Sequence, residues 1–488
     1  MVQMKNSLVI ALFLFTFQLA SAQQKTPVNG RNIAITLTPF KNTKVYLGSY
    51  YGKSKIIADS AWLDDKSKGV FKGTTKLTGG IYFVVSPQYT IQFELLIGNQ
   101  QHFSIVADSA KKESAVITGS PDNDLFKTYS AFTVEKGKKL TELNQQLAQV
   151  KTAADSASIK TQIIKYNREL QQYREQLIQQ HSSSLLAALL NAMKRPDLPP
   201  IHVVKGKPDS LSAYLYVKDH FWDDVLFNDD RLLHTPFFEP KLDDYLKYYV
   251  SPEPDSVIKE VKYILLSART GKEMYPYLLT KFTNKYLNPE YMGQDKVFLY
   301  LFENFYAKGD TTILNAASKK MIFERAYSMM ANQIGVQASP LTLSDTSGKT
   351  VSLYSLKGPF TFVIFWDPTC GHCKEELPKV DSIYKAKWKA LGIKLYSVNV
   401  NEKMMNELKQ FVKEKNFSSD WIYTYQTKEA RDAEIAAGQP NYRQLYDVFK
   451  TPTMYLLDAE KHIIAKQLSL EQFDDLITVK SKAKTTAN

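Results

Sequence analysis

The stretch that most constrains this chain is Phe362-Val363-Ile364-Phe365-Trp366-Asp367-Pro368-Thr369-Cys370-Gly371-His372-Cys373. An apolar run of strand character, too short for an ordinary helix, stops at Asp367-Pro368 and is followed at once by Cys-x-x-Cys and a helix-like segment. The two thiols therefore fall where a strand hands over to a helix. Unpaired amide N–H groups and the positive end of the helix dipole gather there, and both favour thiolate over thiol. Cys370 and Cys373 are the only cysteines in the chain. They pair with each other or act on another molecule's sulfur, the behaviour of a dithiol/disulfide couple. A zinc site would need about four ligands, and the seven histidines show no second paired spacing, so no metal is expected. A purely structural disulfide across two residues would close a tiny loop and restrict the unfolded chain little.

Further features surround this site. Leu341-Thr342-Leu343-Ser344-Asp345, Gly348-Lys349 and Leu356-Lys357-Gly358 precede it, Glu376-Leu377-Pro378 follows it, and Thr451-Pro452-Thr453 leads into Tyr455-Leu456-Leu457-Asp458. With these motifs in this order, residues from about 334 to 480 resemble a thioredoxin-fold domain of the TlpA type, a bacterial membrane-anchored or secreted disulfide reductase. The resemblance covers the last third of the chain. It implies a thiol:disulfide oxidoreductase that needs no cofactor beyond its cysteines, protein disulfides as substrates, and a membrane thiol transporter as electron donor. It also implies a proton-transfer role for Glu376 at the buried thiol; otherwise Glu376 is an exposed helix acid. Thioredoxin's strand aspartate is replaced here by Ile364. Thr451-Pro452 is expected to be cis beside the cysteines, so that the Thr451 backbone can pair with an extended substrate segment. Trp366 would shield the sulfurs from water, or simply pack in the core. Cys370 is expected to attack a substrate disulfide and Cys373 to resolve the mixed disulfide. Gly371-His372 is the dipeptide of disulfide isomerases rather than thioredoxin's Gly-Pro, and tunes the couple toward the oxidising side, although net function as a reductase is expected.

Residues 1–22 combine Lys5, an apolar run from Leu8 to Ala20 and an Ala20-Ser21-Ala22 cleavage site, which describes a cleavable secretory signal with mature protein starting near Gln23. No later apolar run approaches 18 residues, so no membrane span is expected after cleavage. A periplasmic or cell-envelope location follows. The net charge of +12 comes from lysines interleaved with acids throughout; with export, that pattern reads as a solvated basic surface and not as a nucleic-acid site.

Four segments are expected: the signal at 1–22, a β domain at 23–123, a helical domain at 124–332 and the thioredoxin-like domain at 333–488. Ile33 to Ile117 holds short strands between Gly, Asn and Asp turns, predicting an antiparallel sandwich or small barrel. It resembles the N-terminal β domain of unknown function that often precedes such thioredoxin modules, including the exit Gly119-Ser120-Pro121-Asp122-Asn123. Leu140, Leu143, Leu147 and Val150, then Ile159, Ile163, Tyr166, Leu170, Tyr173 and Leu177, form helical stripes on either side of residues 154–158. They predict a helical hairpin or one interrupted helix, with a dimeric coiled coil as the rarer outcome. His220 and His234, beside aromatics, are expected to be packed rather than catalytic. The fold class is thus multidomain: antiparallel β, then mainly α, then α/β. Because about 300 residues precede the redox domain, an envelope binding or scaffold protein is the alternative to an enzyme.

Overall fold

A computed structural model of the chain describes residues 30–197, 203–204 and 207–486. The expected signal segment lies outside the described residues. No helix among them is long and apolar enough to cross a membrane. They fall into two compact units divided after Leu190, with His234–Pro236 grouped with the first.

The first unit opens with eight strands: β1 (Arg31–Thr38), β2 (Thr43–Tyr51), β3 (Ser54–Leu63), β4 (Lys68–Gly73), β5 (Gly80–Val85), β6 (Ile91–Ile97), β7 (His102–Asp108) and β8 (Lys111–Thr118). They form two four-stranded sheets, ordered β4-β1-β7-β8 and β3-β2-β5-β6. Alternation places Ile33, Ile35 and Leu37 of β1 on one face, where they meet Val45, Leu47, Tyr82, Val84, Leu95 and Ile97 in a single sandwich core. The sandwich departs from a purely antiparallel one at β1 and β7, which run parallel. Its exit is locked by Asn123, whose amide accepts from the Leu96 N–H and donates to the Leu96 carbonyl, both at 2.8 Å. His234 is packed, as expected: it is buried, 2.7 Å from Ser49 Oγ through Nδ1 and stacked on Tyr82.

The helical stripes form a hairpin of α1 (Pro121–Gln149) and α2 (Ala153–Gln180). Tyr173 packs on Phe132 with ring centroids 4.1 Å apart, and Lys136 pairs with Glu169 at 2.8 Å. The break falls at residues 150–152, not at 154–158. Thr152 explains this: its side chain accepts the Asp155 N–H and caps α2, so the small residues expected to interrupt the pattern become the first turns of the second helix.

α3 (Leu185–Met193) runs past the boundary between the units. In the second unit, β9 (Val203–Val204) and β10 (Lys207–Pro208) make a two-stranded ladder, followed by α4 (Ser210–Asp219), α5 (Phe238–Tyr248), α6 (Pro254–Ser267), α7 (Met274–Leu287), α8 (Asp295–Asn304) and α9 (Ala316–Met330). The α/β part continues as β11 (Thr342–Asp345), β12 (Thr350–Ser352), β13 (Thr361–Trp366), α10 (Gly371–Ile383), β14 (Lys394–Asn399), α11 (Met405–Glu414), β15 (Ile422–Tyr425), α12 (Lys428–Ala436), α13 (Tyr442–Leu445), β16 (Thr453–Leu457), β17 (Ile463–Lys466) and α14 (Leu470–Thr486). Its seven strands take the order β12-β11-β15-β14-β13-β16-β17, with β13 parallel to β14 and antiparallel to β16.

Every residue of β13 is buried, which is why its sequence from Phe362 to Trp366 is apolar without alternation. Phe362, Ile364 and Trp366 face one core, with Cys373, Leu377 and Phe473, and Val363 and Phe365 face the other, with Tyr396, Tyr446 and Tyr455. The helices of this unit join the α/β part through buried charges. Lys466 Nζ of β17 donates to Asp295 Oδ2 of α8 at 2.5 Å and to Asn332 Oδ1 at 2.7 Å. Arg325 of α9 pairs with Asp447 through Nε–Oδ1 at 2.9 Å and Nη2–Oδ2 at 3.0 Å. A domain boundary is expected after residue 332, and these bonds cross that point inside one compact unit.

Candidate redox site

β13 ends at the site, and three side-chain hydrogen bonds shape the loop that follows. Asp367 Oδ1 accepts the Thr369 N–H at 2.7 Å and the Thr369 hydroxyl at 2.6 Å, while Oδ2 accepts the Asn401 side-chain amide at 3.0 Å. The backbone closes behind them through Cys370 N–H to the Asp367 carbonyl at 3.1 Å. Burial pushes the Asp367 carboxyl upward, but the Thr369 and Asn401 hydrogen bonds and the Arg443 charge outweigh it, so the group stays below the usual carboxylate range. This clamp is an ionised aspartate holding a turn.

Cys370 therefore stands at the N-cap of α10, and Cys373 lies in its first turn. Both are free thiols, Cys370 half-buried and Cys373 fully buried. Their environments drive them apart. The Cys370 pKa is lowered, first by a hydrogen bond with the Thr451 side chain; burial opposes this, and the N–H groups of Cys373 and His372 reinforce it. Burial pushes the Cys373 thiol up to about 12. One sulfur is thus a half-buried anion former and the other an enclosed thiol that resists deprotonation, as two successive roles in disulfide exchange require.

Thr451-Pro452 is cis, and the Thr451 carbonyl lies 3.5 Å from Cys370 Sγ, so β16 begins directly beside the sulfur. Gly371 and His372 are exposed in the first turn of α10. Trp366, expected at the sulfurs, is wholly enclosed: it shares a core with Cys373 and donates from Nε1 to Ser397 Oγ at 2.7 Å. That burial puts it beneath the site, out of reach of a substrate. Glu376 is one turn beyond Cys373, but its carboxylate accepts from Lys379 Nζ at 2.7 Å on the outer face of the helix. Pro378 sits inside α10, and a π-helical turn, Tyr384–Trp388, continues from its end.

Two features escaped sequence reasoning. The Asp367 clamp carries a local signal, because Asp-Pro-Thr is a turn that an aspartate side chain can close; Asn401, its other partner, carries none. Met292, between α7 and α8, packs against the core that holds Cys373 and Leu377, so the helical part contributes to the packing of the α/β part. Nothing in the pattern around Met292 announces that contact.

Residues 334–466 match the AhpC/TSA family. The C-terminal domain is a thioredoxin-fold domain of that family. Residues 32–126 match DUF4369 and residues 156–329 match DUF5106, both described as domains of unknown function. The thioredoxin-fold domain is similar to the thiol-disulfide oxidoreductase ResA of Bacillus subtilis, 28% identical over 130 residues, which is 27% of this chain and 64% of that protein. The chain thus spans just under two thirds of that relative. ResA of Bacillus cereus is 27% identical over 134 residues, 28% of this chain and 69% of that protein. Among solved structures, a thioredoxin-like protein from Bacteroides caccae covers 59% of this chain and 99% of its own length at 22% identity and a TM-score of 0.46. A domain of a possible thiol-disulfide isomerase from Cytophaga hutchinsonii covers 31% of this chain and 96% of its own length at 31% identity and a TM-score of 0.27.

Proposed function

We propose that this chain is an exported thiol-disulfide oxidoreductase that reduces disulfides of proteins in the cell envelope. The observation that carries this reading is the division between the two sulfurs of one helical turn: Cys370 half-exposed with a lowered pKa, Cys373 buried and raised to about 12. The Cys370 thiolate attacks one sulfur of a substrate disulfide. A Cys370–substrate S–S bond forms, the substrate's own S–S bond breaks, and the second substrate sulfur leaves as a thiolate that takes a proton. Cys373, once deprotonated, attacks Cys370 Sγ, the mixed disulfide breaks and the first substrate sulfur leaves. Two electrons have moved to the substrate, and Cys370 and Cys373 are joined.

Thr451, at 3.5 Å from Cys370 Sγ, offers its backbone to an extended substrate segment. Glu376 is the proposed acceptor of the Cys373 proton, a role in which it leaves Lys379. A membrane thiol carrier resets the pair by the reverse exchange. The ResA relatives support redox chemistry, and the sequence of residues 1–22 supports export with mature protein from Gln23. The proposed domain limits are 23–123, 124–332 and 333–488.

The test is reduction of a disulfide-bonded protein with dithiothreitol as the donor. Wild type turns over, Cys370→Ser abolishes turnover, and Cys373→Ala accumulates mixed disulfides with the substrate. If Cys370→Ser has no effect on the reaction or on the cell envelope, the chain is a binding or scaffold protein whose thioredoxin-fold domain is not its main activity.

A further inference from the structure

A cavity of about 540 Å³ opens where β16 begins, with Pro452 and Thr453 on one wall and Asn288 and Pro289, between α7 and α8, on another. Thr451, which precedes Pro452, is the residue whose carbonyl lies 3.5 Å from Cys370 Sγ. An extended chain advances about 3.3 Å per residue. A polypeptide paired with Thr451 and running along the start of β16 therefore reaches this cavity two or three residues from the cysteine under attack.

The cavity's charged lining is asymmetric: Arg325, Lys450 and Lys466 are cationic and Asp447 alone is anionic. The buried members are fixed in place. The Arg325 side chain is 9% exposed and the Lys466 side chain 3%. Arg325 Nη2 donates to Asp447 and to the Leu287 carbonyl, Nε lies 2.9 Å from Asp447 Oδ1, and the Phe449 ring lies 4.3 Å from the guanidinium carbon. None of these contacts engages Nη1. Lys466 donates two of its three N–H groups to Asp295 and Asn332. Lys450 stands exposed at the rim. Donors held in place by their neighbours bind a carboxylate at a smaller cost of ordering.

We propose that this cavity is a substrate subsite that takes a carboxylate side chain of the extended polypeptide whose disulfide is being reduced, so that the chain prefers substrates with an acidic residue two or three positions from the reactive cysteine. The inference rests on the reductase reading. It gives the helical part a task, since Arg325, Asn288 and Pro289 come from that part and the sulfurs from the other.

Two synthetic peptides test it, each with one disulfide and identical except for Glu or Lys at the second and third positions on both sides of the cysteines. Reduction by the full chain is measured as kcat/KM, and binding is measured separately by fluorescence anisotropy on the Cys370→Ser/Cys373→Ser variant. The acidic peptide should be preferred by about tenfold or more in both measurements, the factor expected of a charge-assisted hydrogen bond. Lys450→Glu, an exposed change that spares the buried pairs, should cut that preference at least threefold, and Arg325→Gln should cut it further if the variant folds. Equal kcat/KM and equal binding for the two peptides overturn the subsite while leaving the reductase reading intact. Lys450-sensitive binding of the acidic peptide without reduction of either peptide upholds the subsite and overturns the reductase reading.

Discussion

At the residue scale, the cysteine pair is tuned by single hydrogen bonds. The His372 N–H is one of the donors that lower the Cys370 pKa, and the His372 side chain is exposed beside it. His372→Pro removes both imidazole and amide donor at a position where the first turn of a helix tolerates proline. With less support for its thiolate, the reduced form loses stability relative to the disulfide. The variant should be more reducing, moving within the window between about −180 mV for protein disulfide isomerase and about −270 mV for thioredoxin. His372→Ala keeps the amide and should move less. Equilibration with glutathione decides this, and an unchanged or more oxidising His372→Pro contradicts it. The cysteines were legible as a local motif with a stated chemistry, whereas the place of Thr451-Pro452 beside them came from the family resemblance. Trp366 was not, because a tryptophan before a loop reads the same whether it faces solvent or, as here, is enclosed under Cys373 with its N–H on Ser397. Glu376 was placed on the right helix, but its engagement with Lys379, three residues on, shows that helical spacing alone leaves two partners open.

At the scale of elements, β13 could be read from a short continuous apolar run and the α1–α2 hairpin from periodicity, and the boundary between the hairpin helices was missed because a threonine cap outweighed a run of small residues. The contact between α8, α9 and the end of the β-sheet left no trace in the pattern: Asp295, Arg325, Asp447 and Lys466 lie far apart in sequence and look like ordinary charged residues. Breaking one member should cost far more than a surface charge. Asp295→Ala leaves Lys466 buried with half its partners and should destabilise the chain by about 3–5 kcal/mol, whereas Asp295→Leu with Lys466→Met should recover most of the loss. Urea unfolding of both variants checks this. Asp447 gives a pH signature. Burial raises its pKa to about 6, against the pull of Arg325 and Lys466 and with the repulsion of Asp295. A carboxyl raised in the folded state contributes stability that is complete below its unfolded pKa of about 3.9 and is lost as pH rises through about 6. The Tm difference between wild type and Asp447→Asn should therefore shift against wild type between about pH 4 and pH 6 and level off above. A pH-independent difference contradicts that assignment.

At the scale of the whole molecule, a β-sandwich, helices and a thioredoxin-fold domain occur in one chain; the first two were announced by their hydrophobic periods and the third by the order of the motifs around Cys370 and Cys373. Envelope-derived protein should show an intact mass that begins at Gln23, and retention of Met1 would remove the case for a cleaved signal. The proposed chemistry depends above all on the two sulfurs having different work. Alkylation of the reduced, full-length protein with iodoacetamide from pH 5 to 10, followed by mass spectrometry of the two cysteine sites, tests this most directly. Cys370 should be labelled with a midpoint below the free-thiol value of about 8.5, while Cys373 stays unlabelled across the range. Labelling of both cysteines with a shared midpoint, or of Cys373 first, would contradict it.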